Sequence, residues 1–196
     1  MNIGEQYKAI YRKVQDEHEA VFQAQDVGML EDAIKAIVNA NRIFTIGVGR
    51  EGIAMRAFSM RLMHLGKEVH WIWDDTTPGM GEGDLLLAVS GSGKIGHIHY
   101  VAEKGRQAGA TLCVVTGSPK EITPSMADCA LFVPAYVFNG TDPRCVPSVQ
   151  PMGALFEQHC FMLYDILIMM LEEAMRVNHA EMERSEEHTS ELQSRG

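Results

Sequence analysis

Two serines set among glycines, Ser90-Gly91-Ser92-Gly93, follow the apolar run from Leu85 to Val89. Hydroxyl donors, glycines that let the backbone approach a bound group, and the free N–H groups of a helix start together make an anion cradle. The chemistry on offer is capture of a phosphate; the plain alternative is a flexible strand-to-helix turn. Much further along, Pro151-Met152-Gly153-Ala154-Leu155-Phe156-Glu157 sets a carboxylate in the first turns of an apolar stretch. Glu157 reads either as a glutamate favoured by the helix dipole or as a general base whose pKa is raised by apolar neighbours such as Phe156. Gly47-Val48-Gly49-Arg50-Glu51-Gly52 fits G-x-G-x-x-G, and a second strand then ends in Asp74-Asp75. That is the arrangement of a dinucleotide site. Against it, Glu51 would repel a pyrophosphate, and the chain is short for an added substrate domain. The glycines read better as a tight turn exposing Arg50 to a small anion.

Histidines carry less. His97 and His99 are two apart, so on a helix they diverge and do not chelate one metal. They read as surface or interface residues. His64, beside Met63 and Leu65 near a helix end, reads locally as a structural or helix-terminal histidine.

These groups need elements to hold them. The first forty residues carry helical spacing through Tyr7, Ile10 and Val14, and again through Met29, Leu30, Ala33, Ile34 and Ile37. Strands are expected at Arg42–Val48, Glu68–Trp73, Asp84–Ser90, Thr111–Thr116 and Cys129–Val133. Helices are expected at Glu51–Leu65, closed by Gly66, and Ile95–Ala108, closed by Gly109. A polar, proline-containing loop spans Ala135–Pro151, and a long apolar helix runs from Gly153 to about Arg176. Alternating strands and helices with short joints imply an α/β fold: a three-layer α-β-α sandwich around a five-stranded parallel sheet of flavodoxin-like type. The last helix is apolar almost all round, so it must be buried. A sheet covers one of its faces, which leaves the rest for another subunit.

The chain has 196 residues and a formal net charge of -9, which fits one domain and disfavours nucleic acid or an anionic membrane as partner. The start lacks a basic region followed by an apolar core, and the longest apolar stretch, Cys160 to Leu171, contains Asp165 and is too short to span a bilayer. Four cysteines without CxxC spacing suit a reduced, cytoplasmic protein with inert buried thiols. Residues 185–196 look foreign. Arg184-Ser185-Glu186-Glu187-His188-Thr189-Ser190-Glu191-Leu192-Gln193-Ser194 resembles a translated sequencing adapter, so 1–184 is read as one domain and 185–196 as a non-native tail.

Six segments together resemble the 6-phospho-3-hexuloisomerases of the sugar isomerase (SIS) family. They are Gly47-Val48-Gly49-Arg50, Met60-Arg61-Leu62-Met63-His64-Leu65-Gly66, Thr76-Thr77-Pro78, Ser90-Gly91-Ser92-Gly93, Ser148-Val149-Gln150-Pro151-Met152-Gly153 and Leu155-Phe156-Glu157. The resemblance implies an isomerase that interconverts D-arabino-hex-3-ulose 6-phosphate and fructose 6-phosphate through an enediolate. It implies work in formaldehyde fixation by the ribulose monophosphate route, or in reverse toward pentose phosphates. A homotetramer without cofactor or metal is expected. Glu157 becomes the proton-transferring base, and His64 a candidate assistant acting across a subunit boundary. Substrate-binding positions are Gly49, Arg50, Glu51, Thr76, Thr77, Ser90, Gly91, Ser92, Gly93, Lys94 and Ile95. Three departures stand out. Glu51 replaces the family's serine, Lys94-Ile95 replaces a segment ending in threonine, and the closing Arg-His-x-Asn-Leu type motif is missing. A noncatalytic phosphosugar sensor on the same fold is the alternative function.

Overall fold

The computed structural model describes residues 2–140, 142–177 and 182–187. Asn2 starts α1 (Ile3–Ala24) with a reciprocal capping box to Glu5, which satisfies two otherwise orphaned N–H groups. The expected N-terminal helical region divides in two at Gln25–Asp26. The Asp26 side chain accepts from the Gly28 and Met29 N–H groups and starts α2 (Val27–Asn39).

Five parallel strands follow, β1 (Arg42–Ile46), β2 (Glu68–Trp71), β3 (Leu85–Val89), β4 (Thr111–Thr116) and β5 (Cys129–Phe132), in the order β2-β1-β3-β4-β5. Between them lie α3 (Gly49–His64) and α4 (Gly96–Gln107), and α5 (Ala154–Met175) closes the domain. Two short 3₁₀ turns occur at Pro124–Met126 and Pro151–Gly153. Every β3 side chain is buried, as befits a central parallel strand covered on both faces. The chain leaves β1 toward β2 but leaves β3 in the opposite direction. Right-handed crossovers therefore put α3 and α4 on opposite faces. One core joins Ile43, Leu85, Leu87 and Val115 to α2, α3 and α5. The other sets Phe44, Leu86, Ala88 and Val114 against Ile98 and Ala102 of α4. At the amino ends of β1 and β3, Asp84 receives a two-point bond from Arg42, Nε to Oδ1 at 3.0 Å and Nη2 to Oδ2 at 2.6 Å. That bond chiefly holds the Asp84 carboxyl below its ordinary pKa.

β2 is shorter than its apolar pattern suggests, because Ile72 and Trp73 turn away after the Ile72 N–H reaches Thr45. Glycine pairing explains the G-x-G-x-x-G pattern locally. A Cβ on Gly52 would lie 2.7 Å from the Gly47 carbonyl carbon, so both glycines let α3 press onto the end of β1.

The final helix corrects one expectation. With its leading turn it spans Pro151–Met175 and holds an 18-residue window of mean hydropathy 1.4, long and apolar enough in composition to cross a membrane. It packs instead against α3, α2 and α1, and Leu155, Phe156, Leu163, Leu167 and Leu171 are fully enclosed. Phe161, Ile166 and Met169 remain exposed on its outer side, Phe161 sharing a cavity wall with exposed Ile53 of α3, and Met60 of α3 is exposed as well.

Candidate functional site

The loops after β1 and β3 diverge where the strand order reverses, the position at which open α/β sheets bind ligands. Between them lies a cavity of about 330 Å³ lined by Gly49, Arg50, Glu51, Ser92, Ile95 and Glu157. Its roof comes from Val137, Phe138, Asn139, Met152 and Gly153. A neighbouring cavity of about 320 Å³ shares Arg50 and Glu157 and adds Ile53, Gln158 and Phe161. Each falls at the lower end of small-molecule sites, roughly 300–1,000 Å³.

The serine loop is braced from behind. The Gly91 carbonyl accepts from the Thr116 hydroxyl at 3.2 Å and the Gly117 N–H at 3.1 Å, and the Gly93 carbonyl accepts from the Thr123 N–H at 3.1 Å. Ser90 is fully buried and its hydroxyl has no partner among the described residues. An unpartnered buried hydroxyl is costly unless a ligand satisfies it. Beside it α4 begins at Gly96, and Ile95 at the N-cap offers no side-chain acceptor. The first N–H groups of this helix are free for an anion.

Glu157 occupies the first turn of α5 with its side chain 22% exposed, and its Oε2 receives Arg50 Nη1 at 3.0 Å. Phe156, the neighbour expected to surround it with apolar surface, turns into the core, so Glu157 meets a cation at the cavity wall. The carboxyl that burial pushes up is Glu51. Its Oε2 accepts from the Gly91 N–H at 2.9 Å. Burial outweighs that bond and the charge of Glu157 adds to it, lifting Glu51 to about 7.

The segment leading into Glu157 is tied down from α1. Glu17 accepts from the Ser148 hydroxyl at 2.7 Å, the Val149 N–H at 2.6 Å and the Gln150 amide at 2.9 Å. Burial opposes its ionisation, yet these three bonds together hold its carboxyl below the usual value. Met152 (φ 57°) and Asn139 (φ 62°), facing across the cavity roof, adopt the left-handed conformation uncommon outside glycine. Two residues on from Glu157, His159 turns toward α1 and is fully buried; its Nδ1 lies 3.3 Å from His18 Nδ1 and its Nε2 has no hydrogen-bond partner among the described residues. Burial and the charge of His18 push His159 down to about 4, so this imidazole stays neutral above that pH.

The fold thus gathers Gly49, Arg50, Glu51, Ser92, Ile95 and Glu157 around one cavity, with Ser90, Gly91 and Gly93 forming the loop behind it. Other expected positions lie apart. Lys94 pairs with Glu121 at 2.9 Å. Thr77 donates its hydroxyl to the Trp71 carbonyl at 2.6 Å, closing the turn after β2, and Thr76 is exposed there. Neither threonine lines the cavity. His64 ends α3, about 22 Å along the helix from Gly49 at 1.5 Å per residue. It is 4% exposed, with Nδ1 near Arg61 at 3.3 Å and Glu186 at 3.2 Å. Residues 182–187 are helical and bury Met182, so Glu186 of the suspected foreign tail touches His64; residues 188–196 lie outside the described residues. His97 stacks obliquely near Trp73 and His99 meets Thr123 and Glu103. Val137, Phe138, Asn139 and Gln158 were not foreseen, and among them only the Asn139-Gly140 turn dipeptide gave a local signal; Met152 and Gly153 belong to the segment leading into Glu157.

The SIS domain family matches residues 36–136. The chain belongs to this family. It is 37% identical over 152 residues to the 3-hexulose-6-phosphate isomerase of Mycobacterium gastri, covering 78% of this chain and 73% of that one. With the Bacillus subtilis (strain 168) protein of the same name it shares 32% over 154 residues, 75% and 83% of the two chains. A Methanococcus jannaschii crystal structure, from which the function of 3-hexulose-6-phosphate isomerase was inferred, superposes with TM-score 0.77 at 26% identity. That match covers 90% of this chain and 96% of the other.

Proposed function

We propose that this SIS protein is an isomerase interconverting D-arabino-hex-3-ulose 6-phosphate and fructose 6-phosphate. The observation that carries the reading is the shared cavity: Glu157 and Arg50 on one wall, the Ser92 loop and the start of α4 on another. Relatives at 37% and 32% identity named 3-hexulose-6-phosphate isomerase support it. The phosphate would sit against Ser90, Ser92 and the first N–H groups of α4, fixing a flexible sugar by a group remote from the reacting carbons. Glu157 removes the C2 proton of the 3-ketose and returns it at C3. Arg50 fixes the carboxylate in the free protein and stabilises negative charge as the enediolate forms.

The test is a coupled assay that supplies the 3-hexulose phosphate and detects fructose 6-phosphate, run on wild type and Glu157→Gln. Loss of about 10²–10⁴-fold in the variant supports the base assignment. Thermal stabilisation by the sugar phosphate without turnover in wild type would favour the sensor reading instead, which Glu51 and Ile95 motivate.

The assembly proposed is a homotetramer whose contact face includes Ile53, Met60, Phe161, Ile166 and Met169, the exposed apolar side chains of α3 and α5. A second copy could then bring its His64 to this cavity, a role the distance within one chain forbids. Sedimentation of wild type and Met169→Glu tests the face. The proposed setting is the cytoplasm, in formaldehyde fixation or its reverse, with residues 185–196 taken as non-native.

A further inference from the structure

Two carboxyls line the cavity, and the mechanism above uses one. Glu51 reaches the same space from the first turn of α3, with Oε2 on the Gly91 N–H and no hydrogen bond to its other oxygen among the described residues. It is packed close: a Cβ on Gly91 would lie 2.9 Å from Glu51 Oε2, Phe156 Cε1 and Val137 Cγ1 alike. The charged and titratable groups around it are Glu157, Cys160 and Tyr164 from α5, whose ionisation its charge influences or which influence it. Arg50, the nearby cation, is engaged by Glu157.

Moving a carbonyl from C3 to C2 needs two proton transfers, one between carbons and one between oxygens. A single carboxylate busy with the carbons leaves the oxygens unserved. We infer that Glu51 is the acid–base partner of Glu157, carrying the proton between the two substrate oxygens; this deepens the proposed isomerase and rests on it. Glu157 takes the C2 proton, and the C2–H electron pair becomes the C2=C3 bond. The C3=O π pair moves onto oxygen and takes the proton of the neutral Glu51 carboxyl, giving an enediol. Glu51, now a carboxylate, takes the proton from the C2 hydroxyl as C2=O forms. The C2=C3 pair takes the proton back from Glu157 at C3. Both carboxyls return to their starting forms and no co-reactant enters. Two carboxyls held in unlike environments, one against a cation and one desolvated, is how such roles are divided. With Glu51 lifted to about 7, its acid form is present up to neutral pH.

The experiment measures kcat and KM from pH 5.5 to 9 for wild type, Glu51→Gln, Glu51→Asp and Glu51→Ser, with Glu157→Gln as reference. Gln keeps the shape and can accept from the Gly91 N–H but cannot act as an acid. Expected are a kcat loss of about 10²–10³-fold in Glu51→Gln with KM changed less than about threefold, and partial retention in Glu51→Asp. The wild-type decline of kcat above neutral pH should persist in Glu51→Asp and vanish in Glu51→Gln. A Glu51→Gln kcat within about threefold of wild type overturns the assignment. So does a loss confined to KM, or a gain in kcat/KM for Glu51→Ser, which would mean that Glu51 merely obstructs the phosphate loop. Wild type inert beside Glu157→Gln would overturn the isomerase reading itself, and this inference with it. Melting curves of each variant separate lost folding from lost chemistry.

Discussion

Replacing Glu51 by glutamine should stabilise the fold, and more so as pH rises. Burial raises this carboxyl from 4.5 to about 7. The unfolded chain therefore ionises first, and wild type loses stability as pH climbs from about 4.5 to about 7. At 1.36 kcal/mol per pH unit of pKa displacement, the full penalty on the charged form is about 3 kcal/mol. Because the side chain lines a cavity rather than lying in solid core, about 1–3 kcal/mol is the working range. Glutamine carries no such penalty and keeps an acceptor for the Gly91 N–H. Urea unfolding of both proteins at pH 4.5 and pH 8 isolates the effect, since ionising groups that do not interact with Glu51 cancel in the difference. The stability gap should widen by about 1–3 kcal/mol between the two pH values, or roughly 3–10 °C in Tm. A gap that stays flat within about 0.5 kcal/mol would refute the claim that Glu51 is desolvated in the native state.

Three further changes probe the same wall. Gly91→Ala should cost about 1–3 kcal/mol and depress activity, because its Cβ would press on Glu51, Phe156 and Val137 at 2.9 Å; chemical unfolding checks the first and the coupled assay the second. Ile95→Thr gives α4 the N-cap acceptor it lacks. Capping worth about 0.5–2 kcal/mol offsets lost apolar contact, and KM should fall with kcat unchanged, as steady-state kinetics will report. Met152→Gly relieves a left-handed backbone at a side chain 73% exposed, so unfolding should show a gain of about 0.5–1 kcal/mol.

What could be read from the sequence divides by physical cause. Five strands and the three later helices announce themselves through apolar runs and glycine stops such as Gly66 and Gly109, whose signals are local. The break between α1 and α2 was also local, in the Asp26 cap, but continuous helical spacing masked it. Serine loop, Arg50 and Glu157 were legible as residue types. Their meeting in one cavity was not, since residues 50, 92 and 157 are joined only by topology. The roof from Val137 to Asn139 lies in a loop whose polar composition says nothing about where it folds. Thr76 and Thr77 illustrate the reverse: a motif places them in the site, whereas a 2.6 Å bond to Trp71 commits Thr77 to a turn.

Glu51 shows why a departure from family pattern need not read as damage. By sequence alone it adds charge where a phosphate should bind. In the fold its carboxyl turns onto the Gly91 N–H, where desolvation by burial favours the neutral form. A neutral carboxyl donates a hydrogen bond as a serine hydroxyl would, and it adds a proton that can move at near-neutral pH. The lost hydroxyl at Ile95 is different in kind, since the isoleucine side chain has no donor to offer and neighbouring Lys94 is drawn away to Glu121. Phosphate affinity should therefore respond to position 95 and proton transfer to position 51. Combining Ile95→Thr with Glu51→Gln should leave their effects on KM and kcat additive to within about 0.5 kcal/mol. Strong coupling between them would mean instead that Glu51 acts on the phosphate, and that the two departures are one adjustment.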